Sequence, residues 1–161
     1  MKILFFCMGN ICRSPVVEAV VRAKLAQAGL GVEVASAGTE DYHVGNRADP
    51  RAIASARAAG YDITGHRARQ LDASDFERFD LLLAMDRVNL RAARAMCSSG
   101  HADKLALFLA HAGRDGDLEV PDPYYGGAED FRRVIELAEI GARGLINELG
   151  QAHNRVPLPA R

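Results

Sequence analysis

The chain has 161 residues, a formal net charge of -1 and 48% apolar residues, the size of one domain with enough apolar material for a substantial core. Basic and acidic residues are mixed along it, so neither nucleic acid nor an anionic membrane finds a broad electrostatic grip, and any anion must be bound locally. Cys7, Cys12 and Cys97 have neither zinc-site nor disulfide-framework spacing, and no apolar run nears the roughly twenty residues of a membrane span, so a soluble protein of the reducing cytoplasm is expected.

The apolar run Ile3 to Phe6 predicts a first, buried strand. It is not read as a signal peptide, because Gly9-Asn10 and Arg13 interrupt it and no small-residue cleavage site follows. A first helix is expected to begin at Ser14-Pro15, a capping hydroxyl followed by a proline whose missing N–H costs nothing there. Val17, Val21 and Leu25 share one of its faces and Gly29 is its natural stop. Val32 to Ala35, Leu81 to Ala84 and Leu105 to Leu109 predict three further strands, with helix-like stretches after the first three of the four. That alternation argues for a parallel α/β sheet. Asp86 suits the cap of the helix after the third strand. Gly38 to Pro50 and Arg114 to Gly127 concentrate turn formers and are expected to be functional loops. From about Ala128 to Leu149 apolar residues recur at helical spacing behind Glu129-Asp130, which suit a helix N-terminus. Residues 1–151 then form a single domain, and Ala152 to Arg161, with two prolines, form a loose tail.

The chemistry concentrates in Cys7-Met8-Gly9-Asn10-Ile11-Cys12-Arg13-Ser14-Pro15, between the first strand and the first helix. A loop feeding a helix N-terminus can curl its N–H groups around an anion, and the helix dipole adds positive potential. Gly9 permits backbone angles closed to other residues, and Asn10 tolerates the left-handed region. Arg13 carries a planar fork that can hold two phosphoryl oxygens. A guanidinium and a helix N-terminus beside Cys7 favour thiolate over thiol, which would make it a nucleophile at neutral pH without a histidine partner. Against this stands Cys7 as a small buried hydrophobe at a strand end, with Arg13 there by accident.

The segment CMGNICRSP, SAGT at Ser36 to Thr39, Met85-Asp86 and DPYYGG at Asp122 to Gly127 together resemble the low-molecular-weight protein tyrosine phosphatases, over nearly the whole chain. The resemblance implies a flavodoxin-like three-layer sandwich on a four-stranded parallel sheet, with Cys7 as nucleophile, Arg13 as phosphate ligand and Asp122 as general acid. It also implies that Met8, Gly9, Asn10, Ile11, Cys12 and Ser14 surround the phosphate or another oxyanion, and that Ser14, Ser36 and His66 bond to Asn10 to hold the loop. No metal or organic cofactor is needed, and the partner is a tyrosine-phosphorylated protein.

Asp122 has a case of its own, because Pro121 and Pro123 stiffen the backbone on either side of it and can aim one carboxyl group. On local grounds it could equally open a proline turn. Tyr42, Tyr124 and Tyr125 could wall a slot for an aromatic ring, although packing is the ordinary role of each. His43, His101, His111 and His153 lack ligand spacing. A tight loop would bring Cys12 near Cys7, where it could capture a Cys7 sulfenic acid as a disulfide or simply pack inside the loop. Two other functions compete with this one: arsenate reduction, which wants two further positioned thiols where only Cys97 lies downstream, and a phosphate-binding or redox-sensing module without turnover.

Overall fold

The computed structural model describes residues 1–154. Four strands, β1 (Lys2–Cys7), β2 (Glu33–Gly38), β3 (Leu81–Ala84) and β4 (Leu105–Leu107), form one parallel sheet in the order β2-β1-β3-β4, the fold class the sequence predicts. The helices are α1 (Arg13–Gln27), α2 (Pro50–Ala58), α3 (Asp75–Arg78), α4 (Arg87–Met96), α5 (Phe108–His111) and α6 (Ala128–Asn154). Successive side chains of β1 alternate between the two faces of the sheet. Ile3, Phe5 and Cys7 join the core built with α1, α2, α5 and α6, whereas Leu4 and Phe6 join Phe76 of α3 and Leu90 and Ala93 of α4. Because both faces are covered, β1 reads as an uninterrupted apolar run.

The sheet order places the loop after β1 where an α/β fold binds ligands. β2 pairs with β1 on one side and β3 on the other, so the connections diverge at the carboxyl end of β1 and leave a crevice there. Both expected functional loops border this crevice.

Element boundaries differ from expectation at several places, among them β2, which starts one residue later than expected and runs on to Gly38. Helix α1 begins at Arg13, its cap residue Cys12 makes no side-chain cap bond, and Pro15 falls at the third helical position. The missing proline N–H is still among the donors left free at a helix start, so the shift costs no hydrogen bond. The Leu105 to Leu109 run divides, because β4 ends at Leu107 and Phe108 enters α5, where its ring meets Phe5 edge-on at 5.1 Å. Helix α6 runs past Leu149 to Asn154, so the first three residues of the expected tail are helical; the remainder lies outside the described residues. It can lie close against α5 because Gly141 and Gly144 carry no side chain where the Phe108 ring and the Ala112 carbonyl sit. Gly29, at φ 72°, ends α1 as expected. Among the described residues no helix is long and apolar enough to cross a membrane.

Candidate active site

The loop from Cys7 to Arg13 turns its carbonyls outward. The Cys7, Met8 and Ile11 oxygens accept hydrogen bonds from the N–H groups of Thr39, Glu40 and Asp49, and the Asn10 oxygen lies 2.7 Å from His66 Nε2. In a trans peptide the C=O and the next N–H point in opposite directions, and no peptide here is cis. The N–H groups of Met8, Gly9, Ile11 and Cys12 therefore face the hollow of the loop, ahead of the free amides that begin α1. The Asn10 N–H points to Cys7 Sγ at 3.3 Å. Such a ring of donors suits a tetrahedral oxyanion.

Asn10 fixes this curl. It is fully buried, and it is the only non-glycine residue with positive φ among the described residues, at 58°. Its side chain donates to Ser14 Oγ at 2.8 Å and Ser36 Oγ at 3.0 Å and accepts from the Arg69 N–H at 3.0 Å. Ser14 Oγ, which accepts from Asn10, lies 2.9 Å from Cys7 Sγ and 3.4 Å from the Ala37 carbonyl, so its proton has the sulfur as its nearer acceptor. The Ser14 hydroxyl, expected as a helix cap, is thus turned to the sulfur instead.

Glu18, which nothing in the sequence marks, extends this network. Ser36 Oγ also accepts from Asn10, and its proton goes to Glu18 Oε2 at 2.6 Å, while Arg22 ties the other Glu18 oxygen to the Val34 carbonyl of β2. Glu18 precedes Arg22 by four residues on a helix, an ordinary surface pair that gave no hint of this third layer. Gly9 corrects an expectation, since its φ is not in the left-handed region. A Cβ there would fall 2.9 Å from His43 Cδ2, so a larger residue would push that side chain aside. Gly38 is required for space, as a Cβ would meet the Met8 carbonyl at 2.7 Å.

Arg13 is buried beside the loop, 3% exposed. Its Nη1 donates to Asp86 Oδ2 at 2.5 Å and to the Val120 carbonyl at 3.1 Å, and Nη2 lies 3.5 Å from Asp122 Oδ2. Burial opposes its charge, but Cys7, Asp86 and Asp122 outweigh this and hold the guanidinium above its ordinary pKa. Asp86 is the cap the sequence suggests and also a partner of Arg13. One oxygen caps α4 by accepting from the Asn89 N–H at 2.8 Å, and the other orients Arg13.

A cleft of about 370 Å³ opens over Cys7 and Arg13. Tyr42, Tyr124 and Tyr125 line it with Asp122, and so does His43, which the sequence did not single out. Tyr42 and Tyr125 are largely exposed, so they wall the mouth of the cleft and do not belong to the core. Asp122 is half exposed and accepts from the Tyr124 N–H at 3.1 Å. Among the described residues no cluster of acidic, histidine and cysteine side chains is arranged to hold a metal ion.

Asp49 and Arg51 tie the two sides of the cleft together. Asp49 donates its N–H to the Ile11 carbonyl, caps α2 through the Arg51 N–H at 2.8 Å, and grips the Arg51 guanidinium, which donates to the Tyr124 carbonyl at 2.8 Å. Asp-Pro-Arg is legible in sequence as a helix start, but its long-range partners are not. Cys12, beneath this pair, is pushed up to about 12 by burial, with Asp49, Cys7 and Asp122 adding to it, so it stays a thiol at neutral pH.

Arg51 holds the Asp49 carboxyl below the ordinary 3.8, against the opposing effect of burial. A lowered carboxylate pKa contributes stability above the unfolded value that is lost as pH falls through the folded one. Asp49→Ala is therefore expected to cost about 1 kcal/mol near neutral pH, the worth of a helix cap. In denaturant titrations the gap from wild type should hold steady near neutral pH and narrow only as pH falls below 3.8, the ordinary value. An unchanged gap would show that the carboxylate charge contributes nothing.

The family model for low molecular weight phosphotyrosine protein phosphatase matches residues 2–155. A low molecular weight protein-tyrosine-phosphatase of Streptomyces coelicolor is 45% identical over 150 residues, covering 90% of this chain and 91% of that one. A low molecular weight phosphotyrosine protein phosphatase of Schizosaccharomyces pombe is 44% identical over 133 residues, covering 81% and 85%. A crystal structure of a protein tyrosine phosphatase from Entamoeba histolytica, with Hepes in its active site, superposes with a TM-score of 0.90 at 37% identity, covering 95% of this chain and 99% of that one.

Proposed function

Because the chain belongs to the low molecular weight phosphotyrosine protein phosphatase family, we propose that it hydrolyses phosphotyrosine in proteins with Cys7 as nucleophile, Arg13 as phosphate clamp and Asp122 as acid and base. The observation that carries this reading is the convergence of three groups from distant parts of the chain. The Cys7 sulfur sits among loop N–H groups, Arg13 is fixed beside it by Asp86, and Asp122 lies 3.5 Å from the Arg13 guanidinium.

In the first step the Cys7 thiolate attacks phosphorus in line, an S–P bond forms, and the bond to the tyrosine oxygen breaks. The loop amides and Arg13 hold the equatorial oxygens. The Asp122 carboxyl gives its proton to the departing phenolic oxygen. Water then attacks the phosphocysteine, Asp122 takes a proton from it, and the S–P bond breaks to release inorganic phosphate and the thiolate. Tyr42 and Tyr124 flank an aromatic leaving group.

The arsenate-reductase alternative is disfavoured by the position of Cys97. It follows α4 and packs with the core on the sheet face opposite Cys7, so it cannot take part in a local thiol relay. All three cysteines are free, which suits a cytoplasmic location. Cys12 would attack a Cys7 sulfenic acid to form a disulfide and release water. Because burial keeps Cys12 protonated, that capture would be slow.

The test is Asp122→Ala. Its turnover of aryl phosphates is expected to fall by a factor on the order of a hundred or more. The deficit should shrink as the phenol becomes a better leaving group, while binding of inorganic phosphate is retained. An equal deficit across a series of phenyl phosphates would remove Asp122 from the role of acid.

A further inference from the structure

A second cavity, of about 390 Å³, lies between α2 and α6. Ala54, Ser55 and Ala58 form one wall, and Ala128 and Phe131 form the other. Helix α2 turns Ala52 and Ala56 into the core, while Ala54 and Ala58 are exposed, so methyl groups line its wall of the groove. Arg51 stands at the boundary between this groove and the catalytic cleft. Its guanidinium carbon is 5.3 Å from the centroid of Tyr124, a wall of the cleft, and 4.7 Å from that of Phe131, a wall of the groove. The two rings are thus no farther apart than the length of about three extended residues.

We propose that this groove is a second substrate subsite, which seats an aliphatic side chain of the phosphoprotein about three to five residues from the phosphotyrosine. The proposal rests on the phosphatase reading above. A peptide leaving the cleft past Tyr124 crosses Arg51 into the groove, and this continuity identifies the occupant as the substrate chain. Its chemical class follows from the lining. The two guanidinium groups at the rim, Arg51 and Arg132, are each paired with a carboxylate of the same chain, Asp49 and Glu129. These exposed pairs make a polar rim, and between them the groove presents the methyl groups of Ala54, Ala58 and Ala128 to an aliphatic side chain.

The test is a set of phosphotyrosine peptides in which one leucine is moved along an otherwise alanine and glycine background, assayed beside 4-nitrophenyl phosphate. Leucine at one position about three to five residues from the phosphotyrosine should raise kcat/KM about fivefold over alanine, mainly through KM. Ala58→Trp, which fills the groove, and Ala58→Glu, which charges it, should each abolish that preference and leave kcat and KM for 4-nitrophenyl phosphate unchanged. Absence of any leucine preference in the wild type, or its survival in both folded variants, overturns the subsite. Titrating the same peptides with a non-hydrolysable phosphonate in place of phosphate reads the groove without turnover. A leucine preference in those dissociation constants from a protein that hydrolyses no aryl phosphate would uphold the groove and overturn the phosphatase reading instead.

Discussion

Cys7→Ser is expected to lower turnover of aryl phosphates by a factor on the order of ten thousand or more, to the limit of detection. The reason is chemical. Serine would retain the position at the end of β1 and the donors from Ser14 and Asn10, but its hydroxyl stays protonated at neutral pH, where a thiol can supply thiolate. Phosphate binding should persist, since the loop amides and Arg13 are untouched. Stopped assays with the purified variant, with circular dichroism and a titration of inorganic phosphate, check all three points. A folded Cys7→Ser protein that turns over aryl phosphate at a wild-type rate would falsify the covalent route.

Arg13→Ala should reduce kcat/KM by a factor on the order of a thousand or more, and Arg13→Lys should not restore it. Lysine keeps the charge but not the fork, and Arg13 uses that fork in three directions, toward Asp86, the Val120 carbonyl and Asp122. One ammonium cannot hold these groups and also reach two phosphoryl oxygens. Alanine leaves Asp86 without its partner, at a stability cost of about 1 to 3 kcal/mol. The lysine variant separates the two effects, because it should remain close to wild-type stability while staying inactive. Near wild-type kcat/KM in Arg13→Lys would show that charge alone suffices.

Much of this site is legible in the sequence because its core is local. Cys7 to Ser14 is one continuous segment between a strand and a helix, and the requirements of such a loop for a residue tolerating positive φ and for a helix start are visible residue by residue. The four strands are legible as short apolar runs because the sheet is covered on both faces. What escaped is long-range. Glu18 and Arg51 look like ordinary exposed helix charges, and only the fold brings Glu18 to Ser36 and Arg51 to Tyr124. Gly9 suggests a special backbone angle, whereas in the fold its missing side chain makes room for His43, which lies far along the chain. The boundary errors at Leu107 and Leu149 share a cause, since an apolar run does not reveal where a strand becomes a helix or how far a long amphipathic helix continues.

The central place of β1 in the sheet has a consequence for how the protein comes into being. Cys7, the proposed nucleophile, ends a strand that must pair with β2 on one side and with β3, some eighty residues later, on the other. The supports of the loop arrive in the same order: Ser36 at the end of β2, then His66 and Arg69, then Asp86, and last Val120 and Asp122. Such non-local pairings form late in folding. A chain lacking its last third keeps Cys7, Arg13 and Asp86 but has neither Asp122 nor α6. Phosphatase activity is therefore expected to report on completed folding.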